Sequence, residues 1–142
     1  MQVDLDTLRG FFRSAPFMAD LGVEPTAVEP GRVSTELVIA KRHCQHTGVV
    51  HAGVIAALAD HTMGAAAQTC AADGHWVLTA EFKTSLLRGA SGERLECEAW
   101  VLKPGRQVSF TEAEVYAVAK GGERRLVATA SGTMAVTKAD KP

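Results

Sequence analysis

Val50-His51-Ala52-Gly53-Val54-Ile55-Ala56-Ala57-Leu58-Ala59-Asp60-His61-Thr62-Met63-Gly64-Ala65-Ala66-Ala67 is the stretch on which the fold turns. It is apolar almost all round and rich in Ala and Gly, which predicts a helix covered on most sides. The helix should run from about His51 to about Ala72, with Asp73-Gly74 as its stop. Small side chains let a sheet approach closely, so a long antiparallel sheet curled around this helix fits. One carboxylate, Asp60, stands inside it. Burying a carboxylate is costly and aspartate is a poor helix-interior residue, so Asp60 needs either a compensating partner or a chemical task.

On the N-terminal side, residues 1–20 read as a helical segment. Asp4 or Asp6 can cap it, Leu5, Leu8, Phe11 and Phe12 share helical spacing, and Pro16 marks its end. Two short strands follow between Leu21 and Ala40, joined by the turn Glu29-Pro30-Gly31-Arg32, with Val33, Thr35, Leu37 and Ile39 on one face. Lys41 to Val50 is a polar loop. After the long helix come four strands: Trp76 to Leu87, Arg94 to Leu102, Gln107 to Ala119 and Arg125 to Thr137. Good turn chemistry separates them, as in Lys103-Pro104-Gly105-Arg106. In Gln107 to Ala119 the apolar phase slips between Phe110 and Ala113, which a bulge or two-sided burial would explain. No repeat or linker interrupts residues 1–142, so a single α+β domain is expected.

Length and composition agree with that reading. The chain has 142 residues, 46% of them apolar and 22% charged, enough for a core without staples. Fifteen basic residues are scattered among sixteen acidic ones, and no basic stripe alternates with aromatics, which argues against a nucleic-acid partner. Cys44, Cys70 and Cys97 form no C-x-x-C pair and read as reduced thiols of a cytoplasmic protein. The N-terminal residues lack the pattern of a signal peptide, and Asp60-His61 interrupts the apolar helix well short of a membrane span, so no membrane association is expected.

Asp60 lies eight residues beyond Ala52, about 12 Å along a helix axis. The helix start carries unpaired N–H groups and a partial positive charge, so a carbonyl oxygen placed there would be polarised as in an oxyanion hole. A carboxylate and these donors could act on opposite sides of one acyl group. Alternatively, Asp60 bonds Thr62 or a partner's backbone and anchors an interface. Gln45, in the loop before the helix, could orient a carbonyl or a water, or be an ordinary surface residue.

The run Gln45-His46-Thr47-Gly48-Val49-Val50-His51-Ala52-Gly53 through Asp60 resembles the signature of hotdog-fold acyl-CoA thioesterases. It is most similar to the phenylacetate-pathway (PaaI-like) branch, with an Asn or Gln, then Gly-x-x-His-Gly-Gly, then an acidic residue in the helix. The likeness extends from about Leu21 to Val136 and takes in Leu78-Thr79-Ala80-Glu81-Phe82, Leu86-Leu87-Arg88-Gly89 and Lys103-Pro104-Gly105-Arg106.

The resemblance implies an antiparallel sheet wrapped around one central helix, and hydrolysis of an acyl-CoA to acid and CoA without cofactor. It implies Asp60 as general base or nucleophile, Gln45 near the thioester or the water, and the Ala52 N–H as oxyanion donor. It also implies Thr79 as a water-holding residue contributed by the facing subunit. Ala52 departs from the family's Gly, but a backbone donor survives that change. His51 and Gly53 flank this donor and are candidate substrate-binding residues; His51 could be a catalytic base, but its place at the helix start suits a cap-side hydrogen bond. Met63 and Phe82 are expected in the acyl pocket wall. Arg88 and Arg106 are candidates for CoA phosphates, since guanidinium recognises phosphate well. A homodimer or homotetramer with shared sites is implied, and aryl and medium-chain acyl groups both fit.

Other chemistries find less support. His43-Cys44-x-His46 has no second cluster with metal-ligand spacing, so no metal is expected. No G-x-S-x-G or P-loop is present. A hotdog hydratase or dehydratase, or a non-catalytic acyl-CoA-binding module, are the remaining alternatives.

Overall fold

The computed structural model describes residues 3–138. The outermost ends of the expected single domain, residues 1–2 and 139–142, lie outside the described residues. Two helices, α1 (Leu5–Ser14) and α2 (Pro16–Leu21), precede strands β1 (Val23–Glu29) and β2 (Arg32–Val38). Then come the long helix α3 (Ala52–Cys70) and strands β3 (His75–Leu86), β4 (Arg94–Lys103), β5 (Val108–Val118) and β6 (Arg124–Lys138). The Asp4 carboxylate caps α1 by accepting from the Thr7 N–H at 2.8 Å. Pro16 does end α1, but it also opens α2, because proline's fixed φ suits a first helical turn. Gly22, at φ +85°, closes α2 in the left-handed conformation that glycine adopts without strain.

The strands form one antiparallel sheet in the order β1-β2-β4-β5-β6-β3. Its inner face is packed against α3. Leu58, Ala59, Met63 and Ala66 of the helix are fully buried against Leu37, Leu95, Cys97, Val115 and Met134 of the strands. The small residues of α3 allow that close approach, which buries the sheet-facing side of the helix and leaves the Asp60–Gly64–Gln68 side half-buried under α1. This is the hotdog architecture expected from the sequence.

The slip expected in β5 takes another form. Ser109, Thr111, Ala113, Val115 and Ala117 make one uninterrupted inward face, while Val108 and Phe110 point outward. The sequence misleads because two of the inward positions are polar. Thr111 Oγ1 donates to the Gly132 carbonyl at 3.0 Å, and Ser109 Oγ accepts from the Gly105 N–H at 3.3 Å, so both are satisfied in the core. The extra residues sit on the neighbouring strands instead, at Leu102 of β4 and Val127 of β6. The second explains why Val127 and Ala128 are both buried despite being adjacent.

Sheet order leaves β3 at an edge, its one strand partner among the described residues being β6. It is twelve residues long and carries the exposed side chains of Trp76, Leu78, Phe82 and Leu86. A long, apolar, unpaired edge is a template for pairing with another chain. No helix among the described residues is long and apolar enough to cross a membrane.

Candidate active site

The start of α3 is built by the preceding loop. Gln45 and Val49 close a turn, with Gln45 N–H donating to the Val49 carbonyl at 2.9 Å and Gly48 N–H to the Gln45 carbonyl at 2.9 Å. Gly48 sits at φ +89°, which restricts that position to glycine or a strained residue. His43 pins the loop from below. Its Nδ1 accepts from the Ala40 N–H at 2.9 Å, so Nε2 carries the hydrogen donated to the Leu21 carbonyl at 2.8 Å. Both ring nitrogens are therefore used, and the His43-Cys44-x-His46 run is structural at His43. No metal-binding group of His, Cys, Asp and Glu occurs among the described residues.

His51 is the N-cap of α3, and its Nδ1 accepts from the Gly53 N–H at 2.8 Å. A cap-side bond was the expectation for His51, and it removes the Gly53 N–H from the set of free donors. The Ala52 N–H, by contrast, meets no acceptor among the described residues. It opens on a depression of about 290 Å³ lined by Gln45, Ala52, Leu86, Leu87 and Arg88. Gln45 and Arg88 are both exposed there. The expected oxyanion donor, the loop amide and one candidate phosphate ligand thus share a place.

Asp60 opens on a different cavity, of about 380 Å³, between α1, α3 and β3. It is half-buried rather than deep in the core, so less compensation is needed than its surroundings in the sequence imply. Its partner is Thr79, whose Oγ1 donates to Asp60 Oδ1 at 2.6 Å within the same chain. That corrects two expectations. Thr79 meets the Asp60 of its own subunit, not a facing one, because β3 runs back along α3 at this point. Thr62 is also no partner of Asp60, since it points inward and bonds Thr35 Oγ1 at 2.8 Å and the Leu58 carbonyl at 2.6 Å.

Three further residues lie away from the Asp60 cavity. Met63 is fully buried, because it falls on the sheet-facing side of α3 with Ala59 and Ala66, and is a core residue rather than a pocket wall. Phe82 lines a separate depression on the edge strand with Leu102 and Phe110. Arg106 lies beside Cys70 and His75 at the C-terminal end of α3, the opposite end from Arg88 and Ala52.

What the sequence reading missed is the contribution of α1. Leu8, Phe11 and Phe12 form one wall of the Asp60 cavity, and Trp76 stands edge-on to Phe11 with ring centroids 6.1 Å apart. The helical spacing of Leu8, Phe11 and Phe12 was visible, but not what they covered. His61 also lines the cavity, with its ring 4.4 Å from that of Phe12. Burial pushes the His61 pKa below its ordinary value, and the neighbouring Asp60 carboxylate works against that shift.

The candidate groups are therefore split along one helix. A carboxylate with one oxygen held by a hydroxyl lies about 12 Å along α3 from a free backbone donor at the helix start. The two open on separate cavities in one chain, with the unpaired edge of β3 running between them.

Comparison with known proteins places this arrangement. The Thioesterase superfamily pattern matches residues 47–122, more than half of the chain and including Ala52, Asp60 and Thr79. A Pseudomonas aeruginosa protein provisionally named esterase PA0474 is 32% identical over 123 residues, covering 85% of this chain and 88% of its own length. Among solved structures, a thioesterase family protein from Silicibacter pomeroyi superposes with a TM-score of 0.89 at 35% identity, over 93% of this chain and 96% of its own. Thioesterase HI1161 from Haemophilus influenzae has a TM-score of 0.85 at 21% identity, over 97% of this chain and 93% of its own, a likeness of fold. With its sheet-wrapped helix and the matched segment spanning that helix, the chain belongs to the thioesterase superfamily of the hotdog fold.

Proposed function

We propose that this protein hydrolyses an acyl-CoA thioester to a free acid and CoA, as in the PaaI-like branch it resembles, in a site completed by two copies of the chain. The observation that carries the reading is the Asp60–Thr79 hydrogen bond on one cavity together with the free Ala52 N–H in another. One chain keeps these groups apart, and an open apolar edge strand lies between them. Pairing of two β3 edges would bring the Asp60 cavity of one subunit to the Gln45–Ala52 depression of its partner. A homodimer is the smallest assembly that can act, and a tetramer is a dimer of such pairs.

Thr79 holds Asp60 Oδ1, which leaves Oδ2 to take a proton from water. The resulting hydroxide attacks the thioester carbon while the Ala52 N–H and the helix dipole stabilise the oxyanion. The C–O bond forms, the C–S bond breaks, and the departing CoA thiolate takes the proton back from Asp60. Gln45 orients the carbonyl or the water, and Arg88 meets a CoA phosphate. No metal or organic cofactor is required, because a thioester lacks the resonance stabilisation of an ester.

Release of free thiol from phenylacetyl-, hydroxybenzoyl-, hexanoyl- and decanoyl-CoA tests the proposal, with Asp60→Asn as control. The wild type should turn over at least one of them, and the variant should lose at least about 10²-fold in kcat. Hydration of an enoyl-CoA without thiol release would point to a hydratase instead. Binding of CoA thioesters with no reaction would leave a binding module.

A further inference from the structure

The Asp60 cavity has a direction. Asp60, Gly64 and Gln68 line it at successive four-residue steps of α3, one face of the helix. The strand β3 runs back along this stripe and is tied to it at both ends. Thr79 bonds Asp60 at 2.6 Å, and the Val77 N–H donates to Gln68 Oε1 at 3.1 Å. Gln68 Nε2 also donates to the His75 carbonyl at 3.0 Å, so the amide is fixed as an end wall. Between these ends the floor is Gly64, where an added Cβ would meet no atom within 4 Å. Over the Gln68 end, Phe11 of α1 meets Trp76 of β3 at an interplanar angle of 89°.

We infer that the stripe from Asp60 across Gly64 to Gln68 is an acyl channel, and that the Phe11–Trp76 pair is the stop that sets the length of acyl group accepted. The inference deepens the thioesterase reading and rests on it for the position of the carbonyl. With the carbonyl at Asp60, about 12 Å of helix lies between the reacting end and Gln68. A zigzag of ~1.5 Å carbon–carbon bonds advances about 1.3 Å per carbon, so the channel holds about eight to ten carbons. Longer chains meet two aromatic rings whose mutual contact must be broken before the chain can pass. The substrate class is a medium-length acyl thioester, and α1 is a specificity element rather than a support for the sheet alone.

Chain-length profiles of kcat/KM test this. In Phe11→Ala and Trp76→Ala, the ratio of dodecanoyl- to octanoyl-CoA turnover should rise at least about tenfold over wild type. In Gly64→Val, the ratio of octanoyl- to butyryl-CoA turnover should fall at least about tenfold, and Gly64→Ala should move it the same way by less. Circular dichroism and thermal melts show which variants are folded, and Gly64→Ala keeps the test open should Gly64→Val misfold. Ratios that stay at wild-type values in folded variants would overturn the channel while leaving the hydrolase intact. Calorimetric titration with decanoic acid separates the two proposals. If the wild type binds decanoic acid, Gly64→Val weakens that binding at least about tenfold, and no thioester is cleaved, the channel stands and the hydrolase falls. Absence of both binding and turnover rejects both.

Discussion

Thr79 and Asp60 of one chain are joined by a hydroxyl–carboxylate hydrogen bond of 2.6 Å that ties the edge strand to the middle of the central helix. The bond fixes one carboxylate oxygen of a residue that lines the cavity. Asp60→Asn should therefore lower kcat by at least about 10²-fold with the fold intact, while Thr79→Ala should cost roughly 10-fold to 10²-fold. Thr79→Ser keeps the donor and should recover most of the loss. Equal defects in Thr79→Ala and Thr79→Ser, measured by steady-state thiol release, would show that the methyl and not the hydroxyl matters.

The separation of Asp60 from Ala52 along α3 makes a stronger test of the shared site. With a shared site, Asp60→Asn and Gln45→Ala should each damage both sites of a homodimer. Mixed and re-paired subunits should contain one site with both residues intact. Random exchange at equal concentration should restore about a quarter of wild-type turnover, since half the dimers are mixed and each has one good site. Two defective proteins that stay additive after verified subunit exchange would place the whole site within one chain, as would an active monomer in light scattering.

His61 makes stability depend on pH. Its pKa in the folded chain lies below the ordinary 6.5 because burial disfavours the charged ring. As pH falls through that ordinary value, the unfolded chain takes up the proton first, so stability decreases until the folded value is passed and then levels off. The melting temperature should drop between pH 7.5 and pH 5.5. His61→Phe, which retains a ring against Phe12, should flatten that part of the curve. An unchanged slope in the variant would assign the pH dependence to other groups.

Met63 distinguishes core from pocket. Being fully buried on the sheet-facing side of α3, it should act through packing: Met63→Ala should lose about 2–5 kcal/mol in denaturant unfolding. In the remaining folded fraction, the acyl-length profile should stay that of the wild type. A changed profile with stability retained would instead put the side chain on the acyl path.

Much of this molecule was legible in the order of its residues. The turn chemistry at Glu29-Pro30-Gly31-Arg32 and the stop after α3 each depend on neighbours a few positions away, so local pattern suffices to read them. Asp60 was legible as the odd carboxylate in an apolar helix, and His51 as a cap. The inward face of β5 was not. Ser109 and Thr111 look outward by composition, and their bonds to Gly105 in the preceding turn and to Gly132 on the neighbouring strand make burial tolerable.

Periodicity and residue chemistry pointed to a small-residue helix wrapped by an antiparallel sheet, and singled out its one carboxylate and its N-terminal amides as candidate groups. Tertiary structure decided which residues meet them. Phe11 reaches Trp76 across 65 positions of sequence (76 − 11), and Thr79 reaches Asp60, because β3 folds back along α3 as the sheet's free edge. Contacts of that kind follow from strand order and the turn after the helix, which set distances in space that spacing along a chain does not encode.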